Sequence, residues 1–139
     1  MSMLRILDIS ASAVSAQSQR LNTVASNLAN ADSLAGPDGQ AYRSRQVVFQ
    51  AAMPDPSAGE ASSQGVRVAA LTEDPTPGRR VHNPGHPMAD EGGYLTYSNV
   101  NPVEEMVNMI SASRSYQNNV DVMNTARQLM LKTLQMGQG

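Results

Sequence analysis

Cysteine and tryptophan are absent from the 139-residue chain, and Phe49 is its single phenylalanine. Without cysteine there is no disulfide framework, no thiolate metal site and no cysteine nucleophile. With Tyr42, Tyr94, Tyr97 and Tyr116 as the remaining aromatics, the apolar content is Ala, Val, Leu and nine Met, side chains that suit helix seams better than one large core. Basic residues are also few: ten Lys and Arg against twelve Asp and Glu give a formal charge of -2. Arg79-Arg80 is the one adjacent basic pair, too little to track a phosphate backbone. No stretch approaches the roughly 20 apolar residues that span a bilayer. The opening Met1-Ser2-Met3-Leu4-Arg5-Ile6-Leu7-Asp8 lacks the long apolar region of a cleaved secretory signal.

Proline and glycine are missing from the ends and crowded into the middle. Seven of the eight Pro and eight of the ten Gly lie between Gly36 and Gly93, which divides the chain into two breaker-poor ends and a turn-rich centre. The expected architecture is mainly α with a small β region. Long terminal helices pair as an antiparallel coiled-coil hairpin, residues 1–33 and 99–139, around a loop-rich β insertion over residues 34–98.

The first helix is expected from about Met3 to Asn30. Its heptad places Leu7, Val14, Leu21 and Leu28 on one row and Leu4, Ala11, Ser18 and Ala25 on the other. The second is expected from about Pro102 to Met136: Asn101 suits the N-cap, Pro102 the first helical position, and Glu104 a reciprocal capping box. Glu104 and Glu105 also favour the positive end of the helix dipole, and Gly137 a stop. Met109, Tyr116, Met123 and Met130 form one row of its seam and Met106, Ser113, Val120, Arg127 and Leu134 the other. Val103, Ile110 and Leu131 lie off the seam, so the apolar face is broad enough for more than one neighbour.

The helices carry little charge. Arg5, Asp8, Arg20 and Asp32 are the only charges in the first 33 residues, whereas a free two-helix hairpin ordinarily keeps charged outer faces. Uncharged polar faces tolerate burial, so the pattern favours assembly with other protein over a free monomer. In the centre, Tyr42 to Ala52, Val66 to Thr72 and Gly93 to Tyr97 have strand character, most clearly in the alternation Val66, Val68, Ala70, and together predict one small sheet. Gly36-Pro37-Asp38-Gly39 reads as a tight turn, and residues 53–59 as irregular. Asn27 and Asn30 are expected to bond nearby backbone where the first helix ends.

Chemistry-bearing motifs are scarce. His82-Asn83-Pro84-Gly85-His86 has imidazoles four apart with Asp90 and Glu91 behind, but Pro84-Gly85 excludes the helix that would aim both rings at one ion, and loop histidines are the better reading. Glu104 and Glu105 are adjacent on a helix and do not face each other, so they do not form a catalytic carboxylate pair. No nucleophile elbow or phosphate-cradling loop is present. The expectation is a non-enzyme with no cofactor, no metal, no nucleic acid and no small-molecule substrate. A secreted helical adaptor or membrane-active protein is the alternative, though a membrane-surface helix needs a Lys/Arg-rich polar face that neither helix has.

Two stretches carry a resemblance. Ser26-Asn27-Leu28-Ala29-Asn30-Ala31-Asp32-Ser33, continued by Gly36-Pro37-Asp38-Gly39-Gln40-Ala41-Tyr42-Arg43, resembles the signature that follows the first helix in the axial-protein family of the bacterial flagellum. Asn99-Val100-Asn101-Pro102-Val103-Glu104-Glu105-Met106-Val107, with Ser111-Ala112-Ser113-Arg114-Ser115-Tyr116-Gln117, is similar to that family's other signature. The insertion Gly39-Gln40-Ala41-Tyr42 and the short centre are most like its proximal-rod branch. The resemblance implies a structural subunit of the basal-body rod, exported unfolded by the flagellar type III apparatus without a cleaved signal. It further implies folding on incorporation into a periplasm-spanning drive shaft, with copies of itself and other rod proteins as partners.

Overall fold

The computed structural model describes residues 2–53, 57 and 64–138. Most of the stretch expected to be irregular, beyond Met53 and Ser57, lies outside the described residues. The elements run α1 (Met3–Ala29), β1 (Arg45–Ala51), β2 (Val66–Glu73), β3 (Arg80–His82), β4 (Tyr94–Thr96) and α2 (Pro102–Gly137). The mainly α architecture with two long terminal helices is as the periodicity predicts. At 1.5 Å per residue, α1 and α2 extend about 40 and 54 Å.

Each helix starts where a side chain can satisfy its free amides. Ser2 caps α1, its hydroxyl accepting from the Arg5 amide. Asn101 caps α2, its Oδ1 accepting from Val103 N at 3.1 Å and Glu104 N at 3.4 Å, with Pro102 following. The reciprocal bond expected from Glu104 is not made: its side chain is exposed and Asn101 does the capping alone. Gly137 does not stop α2 either. It is the last helical residue, and Gln138 is the C-cap.

α1 and α2 run antiparallel, with the first turn of α2 beside the last turns of α1 through a bond from Asn27 to Glu105. The inward rows step by fours and threes. On α1 they are Met3, Leu7, Ser10, Val14, Gln17, Leu21, Val24, Leu28 and then Ala31; on α2 they are Glu105, Met109, Ala112, Tyr116, Asn119, Met123, Ala126 and Met130, all buried or half-buried. One expected row on each helix therefore stands, and the other is displaced by one residue. Leu4, Ala11 and Ala25 are exposed, as are Met106, Ser113, Arg127 and Leu134. Small residues explain the displacement, because the separation of packed helices is set by the side chains at the contact. Ala112, fully buried, and Ala126 let the backbones approach where Met106 and Leu134 would hold them apart.

The central segment forms two antiparallel two-stranded sheets, β1–β2 and β3–β4, in place of the one small sheet expected. β3 carries too few residues, between Pro77 and Pro84, to stand out by alternation. In the β1–β2 ribbon Val48 faces Ala70 but Phe49 faces Val68, so Ala69 is an extra residue. That irregularity breaks the expected alternation: Val66 and Val68 are half-buried, whereas Ala70 turns outward. Gly39 provides the positive φ of 74° that closes the turn after α1, with its amide donating to Gly36 O at 2.9 Å.

Candidate assembly surface

The ribbon packs along α1 and not along α2, and two side chains fix its position. Ser12, in the middle of α1, accepts from Val66 N at 3.0 Å while donating to Ile9 O at 2.7 Å. The approach is close enough that a Cβ on Gly65 would lie 2.5 Å from the Ser12 hydroxyl, which is why glycine precedes β2. At the far end of the ribbon, Asn27 is completely buried. Its Nδ2 donates to Arg45 O at 2.8 Å and to Glu105 Oε2 at 3.1 Å, and its Oδ1 accepts from Arg45 N at 3.0 Å and Tyr42 OH at 2.9 Å. Every donor and acceptor of the amide is used.

Asn27 is thus a tertiary junction and not the local cap expected of it. Asn30 does behave locally, with Nδ2 donating to Ser26 O and Oδ1 accepting from Ser33. Glu105 is the functional-looking residue that sequence reasoning passed over. It is 4% exposed, and Asn108 Nδ2 donates to its second oxygen at 3.4 Å. No cation pairs with it among the described residues, so its charge is offset by side-chain amides and the N-terminal end of α2. Burial first, then the Glu105 and Glu73 charges, raises the Tyr42 hydroxyl above its ordinary pKa, while Arg45 opposes them. A second junction sits nearby: Asn99 accepts from Ser44 N at 2.6 Å and donates to Asp74 O and Thr76 O.

Covering is unequal between the helices. α1 has α2 on one side and the ribbon on another, and of its large apolar residues Leu4 alone is strongly exposed, at 64%. α2 has only α1. Val103, Met106, Val107 and Ile110 form an exposed apolar stripe over its first turns, and Val122, Leu129, Leu131, Leu134 and Met136 are exposed farther on. α2 is also longer, 36 residues against 27, so residues 131–138 run past the start of α1 and are exposed throughout. The expected second-patch residues Val103, Ile110 and Leu131 all lie on this uncovered surface. Contiguous apolar surface of this kind marks an interaction site.

The chemistry sought around the histidines resolves into separate local contacts. His82 meets Tyr94 edge-on, with ring centroids 4.8 Å apart, and His86 Nδ1 accepts from Met88 N at 3.0 Å. Among the described residues no helix is long and apolar enough to cross a membrane.

Two family models match the segments that build this arrangement: "Flagella basal body rod protein" over residues 7–36 and "Flagellar basal body rod FlgEFG protein C-terminal" over residues 91–136. A flagellar basal-body rod protein FlgC of Yersinia enterocolitica is 60% identical over 139 residues, covering 99% of this chain and all of the relative. The FlgC proteins of Salmonella typhimurium and Escherichia coli O157:H7 are 55% and 56% identical over 138 residues, with the same coverage. The chain belongs to the FlgC family of flagellar basal-body rod proteins. As a FlgC-family chain it is a structural subunit of the flagellar rod, located in the basal body and assembling with other rod proteins. The C-terminal match takes in the exposed stripe of α2, and the N-terminal match takes in Ser12 and Asn27, so both family segments carry part of the geometry described above.

Proposed function

We propose that this subunit packs through its α1–α2 hairpin into an open helical array of copies and related subunits, forming a stiff shaft that transmits motor torque to hook and filament. The observation that carries the reading is the apolar surface of α2, which is left bare among the described residues. An open helical assembly needs heterologous contacts, in which different patches meet different neighbours. The stripe Val103, Met106 and Ile110 and the overhang with Leu131 and Leu134 are two such patches at opposite ends of one helix. Leu4, Ala11 and Ala25 on the outer side of α1 supply a third, while Leu7, Val14, Leu21, Leu28, Met109, Tyr116, Val120, Met123 and Met130 hold the hairpin together.

In this reading residues 1–33 and 99–139 are the assembly domain and residues 34–98 a middle domain set beside it. The chain passes unfolded through the flagellar type III apparatus without a cleaved signal and folds in the periplasm as neighbours complete its helical core, since ordering is favoured only once enough apolar surface is buried. It acts on no small-molecule substrate and performs no catalysis. Circular dichroism of the purified chain with and without neighbouring rod subunits, with electron microscopy of the mixture, tests this. Weak helix signal alone and strong signal with rod-like particles on mixing is expected; a fully helical chain that stays inert on mixing contradicts it.

A further inference from the structure

We propose that Asn27 and Glu105 form a lock that makes helix pairing and the seating of the β1–β2 ribbon a single cooperative event. This rests on the rod-subunit reading only for its purpose: a neighbour that grips α2 thereby also fixes the position of the middle segment. The geometry is specific. One buried amide bonds the start of α2 through Glu105, the backbone of Arg45 in both directions, and the hydroxyl of Tyr42. Removing any one segment leaves a fully buried polar group unpaired, which costs more than the bond's net contribution. The ribbon's other fixing point, Ser12 against Gly65 and Val66, lies fifteen residues along α1 from Asn27 (27 − 12), about 22 Å away. If the lock governs the whole ribbon, a change at Asn27 must be felt there.

The chain's lack of cysteine makes this directly measurable. Paired substitutions Ala16→Cys and Val68→Cys place two thiols in the cleft that α1 and β2 line together, leaving Ser12 and Gly65 intact, and their disulfide yield in the full-length chain, assembled with its neighbouring subunits, reports ribbon seating. Asn27→Asp sets a carboxylate against both the Glu105 carboxylate and Arg45 O and is expected to lower the yield at least about fivefold, the low end of the cost of one disrupted buried polar group. Glu105→Gln keeps an acceptor for Asn27 and is expected to leave the yield within about twofold. The double variant Asn27→Asp/Glu105→Gln lets the new amide on α2 donate to the new carboxylate on α1, while Tyr42 OH and Arg45 N still donate to that carboxylate, so part of the yield is expected to return; the oxygen in place of Nδ2 still faces Arg45 O, which keeps the recovery incomplete. An unchanged yield in Asn27→Asp overturns the lock. A lowered yield that the double variant does not raise at all also overturns it, because the effect then belongs to the end of α1 and β1 and not to the link with α2. Swimming restored by the unsubstituted chain in a strain lacking it is scored separately, so failure of the rod reading is distinguishable from failure of the lock.

Discussion

α1 and α2 are both long helices poor in helix breakers, in opposite circumstances. α1 is covered on two sides, by α2 and by the ribbon tied down at Ser12 and Asn27, and exposes little large apolar surface. α2 is covered on one side, outruns its partner, and carries exposed apolar residues toward both of its ends. In the function proposed above, other subunits cover that surface. The contrast separates residues that hold the subunit together from those available to join it to others.

The largest expected effect breaks the covered side. Ala112→Leu pushes a branched side chain into a site with no free surface, where overpacking costs about 1–3 kcal/mol. Because the displaced seam depends on small residues, helix pairing and rod incorporation should both fail, checked by motility and by recovery of the chain in purified basal bodies. Next is Gly65→Val, whose Cβ would press on Ser12. It should cost about 1 kcal/mol or more through loss of the Ser12 bond to Val66 N and displacement of the ribbon, and Gly65→Val with Ser12→Gly should recover part of the lost incorporation into basal bodies.

The bare side should answer differently. Ile110→Asp lies on the exposed stripe, so the weak helix signal of the isolated chain should be unchanged. Incorporation into rods should nevertheless be lost. A smaller effect of opposite sign is expected within the seam, where Gln17 Oε1 is buried without a hydrogen-bond partner among the described residues. Gln17→Met removes that orphan acceptor and should stabilise helix pairing by about 1 kcal/mol, read as a stronger helix signal from the isolated chain.

The smallest effect belongs to the exposed β3–β4 region. Asp90 accepts from Tyr94 N and Gly92 N and pairs with Arg80, and these contacts, the Tyr94 amide foremost, hold its carboxyl below the ordinary range. A depressed folded-state pKa contributes stability above the ordinary carboxyl value of about 4 that is lost as pH falls through the folded value. The β3–β4 region should therefore loosen in acid, seen at the Tyr94 ring resonances, and Asp90→Asn should remove that pH dependence.

Much of this was legible in the sequence. Both helices follow from the absence of breakers, and the start of α2 from Asn101-Pro102 to within a residue. One heptad row on each helix was readable because Leu and Met rows are conspicuous. The other was not, since Glu105, Ala112, Asn119 and Ala126 look like a polar or neutral face until close helix approach is seen to require them. β3 has three residues and its partner strand lies beyond an eleven-residue connection, too distant for local alternation to reveal. The role of Asn27 was hidden for the same reason: its partners Tyr42, Arg45 and Glu105 lie 15, 18 and 78 residues away. What could have flagged Glu105 was its place four residues after the N-cap Asn101, on the same heptad row as Ala112 and Ala126.

Cysteine labelling of α2 in the free and assembled states tests the division between covered and bare helices most directly, because the chain has no thiol of its own. Single cysteines at Ile110 and Leu134 should react freely with a maleimide in the isolated chain and become protected in intact basal bodies. Equal reactivity at both positions in the two states would contradict the claim that α2 is the surface completed by neighbouring subunits.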